Sequence, residues 1–429
     1  MLARLRQLWR THPQLIVFLV ATVFFGLASP NFDIVFNNYL RDTFDLGEVE
    51  RGDLETPREL PGFLVAISAG VLFFMAETRI GGLAAFIAAL GMFGLGLHGE
   101  SRTAMMAFMI AWSAGTHLSM PVQGSLGLSL ARQNQEGRRL GQIGFVSGAA
   151  YVIGCGIVRW VLRHYPKAYH VTFVLGGAGF ALAAAVMLLM DPSVGSRSRP
   201  KLTLHPRYWL YYVLSVLFGA RKQVFLTFGP WVLVKVYEQE ASIFAGLLLI
   251  GGIGGMLFRP MLGHLIDRLG ERAVLMADAV VLIFVCLGYG FGDRLGFGRQ
   301  GTIHLLCVCY VVDQVVFATG MARATYLRKI AADPQHVASS LALGVSLDHA
   351  TSMSIPRAGG RLWHAYGKSG YRYVFIAAAG IALVNLLFAS LVRVPERPTV
   401  DETAAPLLPP SALALDEPTG MESMIEEGR

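Results

Sequence analysis

The residues able to do chemistry in this 429-residue chain stand where polar atoms are costly. Asp33, Asn37 and Arg41 follow at i, i+4 and i+8 in "NFDIVFNNYLR", directly after the apolar run "LIVFLVATVFFGLASP". On a helix that spacing keeps all three on one face. The stretch therefore reads as a continuation of the first apolar helix, with Pro30 a kink inside it. Arg221, Lys222 and Gln223 interrupt "FGARKQVFLTFGPW", Asp313 and Gln314 stand in "CVCYVVDQVVF", and Asp348 precedes His349 in "LALGVSLDHATS". A charge near the centre of a bilayer costs at least ~2.5 kcal/mol, so each requires a partner, water or a task. Arg221 and Asp313 offer either an ion pair between helices or a guanidinium for a substrate, whereas Lys222 projects about 100° away from Arg221 and serves another face. Asp33 is either a protonatable carboxylate or an acceptor for neighbouring donors, and Asp348 with His349 forms either a proton relay or interhelical hydrogen bonds.

The elements that must position these groups are membrane helices. Hydrophobic residues make up 54% of the chain and charged ones only 15%. Apolar runs of about 20 residues, enough to cross ~30 Å of hydrocarbon, recur along it and must be helical, because lipid offers the backbone no partner. Twelve spans are expected, at residues 14–40, 60–76, 80–98, 103–127, 140–162, 170–190, 208–236, 242–264, 273–291, 302–325, 338–361 and 371–393. The predicted fold class is thus an all-α polytopic membrane protein. The polar stretch "DPSVGSRSRPKLTLHPR", residues 191–207, divides it into six-helix bundles at 1–190 and 208–393.

Lys and Arg are more frequent on the side that carries the N-terminus, as with Arg4, Arg6, Arg10, Arg138, Arg139, Arg197, Arg199 and Lys201, which places both termini in the cytoplasm of a plasma-membrane protein. The acidic stretch "DTFDLGEVERGDLETPRE" is expected to be the first outer loop. "MLARLRQLWRTHPQ" opens the chain without an Ala-x-Ala-like cleavage site, so the first span is expected to be retained. Cys155, Cys286, Cys307 and Cys309 lie in apolar runs without a Cys-x-x-Cys pair and read as small core residues, with no disulfide framework and no metal site expected. Residues 394–429, rich in proline and acid, read as a disordered cytoplasmic tail.

One short motif is specific. Between the eighth and ninth spans stands Gly263-His-Leu-Ile-Asp267-Arg268-Leu-Gly270-Glu-Arg272. A glycine allows close helix approach, an aspartate at a helix C-terminus needs a receiving group, and a second glycine makes the turn. The segment resembles the Gly-x-Leu-Ala-Asp-Arg-x-Gly-Arg-Arg signature of the major facilitator superfamily, with Glu271 where a basic residue is usual. Gly263, Asp267, Arg268, Gly270 and Arg272 are the candidate conformational latch. The matching first-half loop keeps only Gly70, Glu77, Arg79 and Gly81, at the wrong spacing, and the fifth span lacks the Gly-Pro antiporter signature, which leaves the direction of transport open.

The resemblance implies a two-bundle transporter whose first, fourth, seventh and tenth spans line a central cavity. Polar residues fall on each of them: Asp33, Asn37 and Asn38; His117 and Gln123; Arg221 and Gln223; Asp313 and Gln314. Asn37, Asn38, Gln123, Arg221, Gln223 and Gln314 are therefore candidates for substrate binding, and Asp33, Asp313, Asp348 and His349 for proton coupling. The five membrane cations Arg159, Arg221, Lys222, Arg259 and Arg357 outnumber Asp33, Asp313 and Asp348, which favours a polar or anionic solute. The expected partners are a small molecule, the lipid bilayer and protons, with no nucleic acid, no cofactor and a monomeric state. A polytopic membrane enzyme using Asp348 and His349 is one alternative, without a Gly-x-Ser-x-Gly elbow or His-rich cluster to support it. A non-transporting sensor on the same scaffold is the other. No Walker loop is present for ATP hydrolysis.

Overall fold

A computed structural model describes residues 12–72, 74–131, 136–195 and 204–394, and among them there is no strand. The opening run forms α1 (Pro13–Ala28) and α2 (Pro30–Phe44), joined through Ser29, which keeps helical dihedrals and donates its N–H to Phe25 O at 3.1 Å. The two make one rod of 32 residues, so the polar stretch does continue the first span. Pro30 tolerates this position because its missing N–H falls at the junction.

The expected acidic outer loop is a correction. Residues 48–71 are helical, as α3 (Glu48–Asp53) and α4 (Glu55–Val71). Arg51, Glu55, Arg58 and Glu59 recur at i, i+4, i+7 and i+8, the period of a single face, and that face turns inward. There follow α5 (Glu77–His98), α6 (Arg102–Ser129), α7 (Glu136–His164) and α8 (Tyr169–Leu188), which complete the first six-helix bundle. α5 packs on α6 and α8 through Gly81, Ala84, Ala85, Ala88 and Ala89. With no hydrophobic driving force between helices in lipid, small side chains gain contact by letting backbones approach.

The second bundle comprises α9 (Trp209–Trp231), α10 (Ala241–Phe291), α11 (Gly298–Val316), α12 (Gly320–Ile330), α13 (Pro334–Ala365) and α14 (Tyr371–Ser390). α10 contains two spans. They are separated at Gly270, whose φ of 79° and ψ of 163° suit glycine and break the helix at the motif's second glycine. α11 and α12 together form one span. At the end of α9 the residues Val232–Val236 widen into a π-helical turn, with Tyr237 N–H reaching Val232 O at 3.2 Å.

Residue 12, residues 191–195 and the end of α14 lie at one end of the molecule, called here the terminal end; α2, α3 and the start of α10 meet at the far end. By length and apolarity seven described segments can cross a membrane. α4, α6, α9 and α13 are not among them, and these helices bring the interior residues Glu55, Arg58, Glu59, His117, Arg221, Lys222, Gln223 and His349. The halves meet where α2 and α7 pack on α10 and where α3 and α4 pack on α13. Most of the central loop, residues 196–203, and the tail beyond residue 394 lie outside the described residues.

Candidate functional site

Between the halves lies a cavity in two adjoining parts. Its inner part, about 190 Å³, is lined by Phe32, Asp33, Asn37, Arg51, Arg58, Tyr151, Tyr310 and Gln314 among others. A second part of about 320 Å³ shares Tyr151, Leu248 and Gln314 with it and passes along glycines of α7 and α10 to Arg259 near the terminal end. The far end is sealed. Asn38 Nδ2 donates to Gln239 O at 2.9 Å, Arg41 Nη1 to Val234 O at 3.0 Å, and Lys235 pairs with Asp45 at 2.5 Å. Arg357 and Arg361 both reach Asp53, at 3.2 and 3.1 Å, and the Gly52 backbone lies against the Pro356 carbonyl.

The floor of the cavity is a network that α3 and α4 supply. Glu55, fully buried, accepts from Arg51, from Arg58 Nε at 2.6 Å and from Gln223 Nε2 of the other half at 2.5 Å. Arg51 Nε also donates to Asn37 Oδ1 at 2.8 Å, and Arg58 pairs with Glu59 at 2.6 Å. Several charged donors on one carboxylate are what its burial requires, since an unpaired buried charge costs several kcal/mol. Glu59 Oε2 then receives His349 Nδ1 at 2.7 Å, across the seam. Asp33 faces the cavity with Tyr151 O–H at 3.1 Å and forms no ion pair among the described residues.

The candidate substrate residues are dispersed. Asn37 and Gln314 line the cavity and Gln223 belongs to its floor, but Asn38 belongs to the far-end seal. Gln123 lines a void of about 20 Å³ inside the first bundle. Arg221 Nη1 donates to Asp313 Oδ1 at 2.6 Å, and both are buried, while Arg221 Nη2 has no partner. Of the candidates for proton coupling, Asp33 reaches the cavity. Asp313 is held in that pair, Asp348 pairs with Lys222 at 2.6 Å, and His349 faces Glu59, so the adjacent Asp348 and His349 serve different partners.

The expected excess of positive charge does not survive. Around the cavity and beneath it stand Arg51, Arg58, Arg221, Lys222 and Arg259 against Asp33, Glu55, Glu59, Asp313 and Asp348, while Arg357 is spent on Asp53 at the far end and Arg159 on the Ser242 carbonyl. Assigning residues 51–59 to a loop leaves two acids and two cations out of the count, which cancel; the excess disappears because Arg357 and Arg159 find partners away from the cavity. The periodicity of Arg51, Glu55, Arg58 and Glu59 was the signal that could have found them.

At the terminal end Asp267 and Arg268 are exposed on the last turn before Gly270, as is Arg272 beyond it, and Gly263 lies one turn earlier. Glu271, the residue that departs from the signature, is buried and pairs with Lys329 of α12 at 2.7 Å. In the first half Glu77 accepts from Ser125 Oγ at 2.8 Å and Arg79 donates to Leu188 O, so these loop residues tie α5 to its own bundle.

A crystal structure of the nucleoside transporter NupG, in a mutant form, superposes with a TM-score of 0.70 at 15% identity, covering 88% of this chain and 99% of that one. The chain has the major facilitator fold. A POT family transporter in complex with a thioalcohol-conjugated peptide gives 0.69 at 13% identity, over 88% and 96% of the two chains. A bacterial homologue of the human lysosomal transporter Spinster, inward-facing and unoccupied, gives 0.65 at 14% identity over the same shares. No family model matches the sequence, and no curated protein matches it. The major facilitator fold thus accounts for the two bundles and for the placing of the cavity between them, and identities this low speak to fold alone.

Proposed function

We propose that this chain is a secondary active transporter that moves a small polar solute by alternating access, with both termini in the cytoplasm. The observation that carries the reading is the cavity lined by both halves, which extends to the exposed Arg259 in one direction and is sealed at the far end by side chains reaching across to the other half. A polytopic enzyme is less well supported, because Asp348 and His349, its acid–base pair, face Lys222 and Glu59 separately.

Asp33 is the coupling carboxylate in this reading. It borders the cavity and has no ion pair among the described residues, so proton gain or solute binding changes its charge without first breaking a salt bridge. Asp313, Asp348 and His349 act through their buried pairs, which hold helices in register. Asn37 and Gln314, with the aromatic walls Phe32, Phe36, Tyr151 and Tyr310, offer hydrogen bonds and stacking. A solute carrying both a cationic and an anionic group, or a neutral polar ring, fits this balance better than a simple anion. The latch of Asp267, Arg268 and Arg272 engages when the terminal end closes.

Purified protein in proteoliposomes, given labelled nucleosides, dipeptides and amino acids with an imposed proton gradient, tests the reading. Accumulation that collapses with the gradient is expected. Absence of flux for every solute, or turnover of a lipid substrate in its place, overturns it.

A further inference from the structure

Glu59, His117 and His349 bring one carboxylate and two imidazoles from α4, α6 and α13 into one buried place. Their ligand atoms lie within 4.8 Å of one another, and the residues are 3%, 7% and 7% exposed. Two independent features show that the place is shaped around the rings. Gly62, on α4 close to Glu59, faces both: a Cβ there would stand 2.6 Å from His117 Cδ2 and 2.7 Å from His349 Nδ1. Ser113 fixes the orientation of His117. Its carbonyl oxygen lies 2.8 Å from His117 Nδ1 and can only accept, so Nδ1 carries the hydrogen and Nε2 keeps its lone pair. Metal-binding histidines are held in this way, with the distal N–H donated to a carbonyl or carboxylate. Arg58 takes Glu59 Oε1 at 2.6 Å and leaves Oε2 toward His349.

We propose that Glu59 Oε2, His117 Nε2 and His349 Nδ1 bind one divalent transition metal of the zinc, cobalt and nickel class. Coordination displaces the hydrogen from His349 Nδ1 to the other nitrogen of that ring, so the metal takes the place of the hydrogen between His349 and Glu59. Imidazole donors select this class over magnesium and calcium, which take oxygen ligands. Bonds of about 2.0–2.2 Å set tetrahedral donors about 3.4 Å apart, so the widest separation must close by roughly 1 Å while Glu59 Oε2 and His349 Nδ1 part by somewhat less, and a fourth position stays open for water or a solute. Because α4 and α6 belong to the first half and α13 to the second, the ion clasps the halves together and stabilises the arrangement sealed at the far end. This holds whether or not the chain transports.

Untagged full-length protein, stripped with EDTA and titrated with Co²⁺ and Zn²⁺, provides the test. One equivalent of Co²⁺ should give the visible absorption of a low-coordinate nitrogen–oxygen site. His117→Ala and His349→Ala should each weaken it by at least about a hundredfold, more than loss of an outer-shell partner does. Gly62→Ala should also weaken it while keeping every ligand. Absence of a Co²⁺ spectrum, or unchanged affinity in His117→Ala, overturns the proposal. Should the variants fail to fold, the paramagnetic resonance spectrum of wild-type protein with one equivalent of Cu²⁺ decides: coupling to two imidazole nitrogens is expected, and fewer overturns it. Accumulation of Zn²⁺ inside proteoliposomes would overturn the clasp and make the ion a cargo.

Discussion

Glu59 and His349 meet across the seam between the two halves, Oε2 to Nδ1 at 2.7 Å, with each side chain more than nine-tenths buried. Removing one partner strands the other, and a hydrogen bond to a charged group contributes about 1.5–3 kcal/mol. Glu59→Ala should therefore lower the melting temperature in detergent, and Glu59→Gln should lower it less. Identical melts for the two variants would show that the carboxylate's partners do not depend on it.

The Arg221–Asp313 pair, at 2.6 Å and nearly fully buried, makes a different demand. Breaking such a pair by one substitution costs about 3–5 kcal/mol, whereas apolar replacement of both partners is often neutral. Arg221→Met and Asp313→Leu should each destabilise, and the double variant should recover most of the loss. A double variant that melts like the sum of the singles would mean that the two charges act independently.

At the far end, Gly52 leaves no room for a side chain beside Pro356. Gly52→Val should force the mouth apart and shift the population toward the far-open state. Spin labels on Thr43 and Glu238, both exposed, report the change as a longer distance. An unaltered distance distribution would place the seal elsewhere.

Asp33→Asn keeps the shape and the Tyr151 hydrogen bond but cannot change charge. Solute exchange across the membrane should persist, while accumulation driven by a proton gradient falls to the level seen without one. Gradient-driven accumulation at the wild-type rate would remove Asp33 from the coupling.

Asp267 is exposed in the present arrangement and is not among the residues that line the cavity. Asp267→Asn should lower turnover while leaving solute affinity within about twofold, because a change of that size corresponds to well under 1 kcal/mol. Loss of binding measured by calorimetry would contradict a latch.

The rods were legible because hydropathy and helical period are local properties: the first span ran through Pro30, and Gly270 turned the chain at the motif's second glycine. Spacing puts Asp33 and Asn37 on one face, the resemblance puts that helix beside a cavity, and both residues line one. Arg41, on the same face, goes to the seal because the helix extends beyond the cavity. The failure lay in residues 48–59, where a dense run of charges looked like a solvated loop. Glu55 and Glu59 within that run are buried against Gln223 and His349, which meet them from positions 168 and 290 residues away. Nothing within a local window reports such partners. The same omission left Glu59 out of the cluster with His117 and His349.

The π-helical turn at Val232–Val236 has a consequence for descent. Its altered hydrogen bonding accompanies Val234 O and Gln239 O as the acceptors for Arg41 and Asn38. A grip on main-chain oxygen is indifferent to the side chain that carries it. Burial keeps Val234 apolar, but the contacts themselves demand nothing of the side chains at 234 and 239 while they fix those at 38 and 41, so half of this gate would leave no trace in any record of paired substitutions.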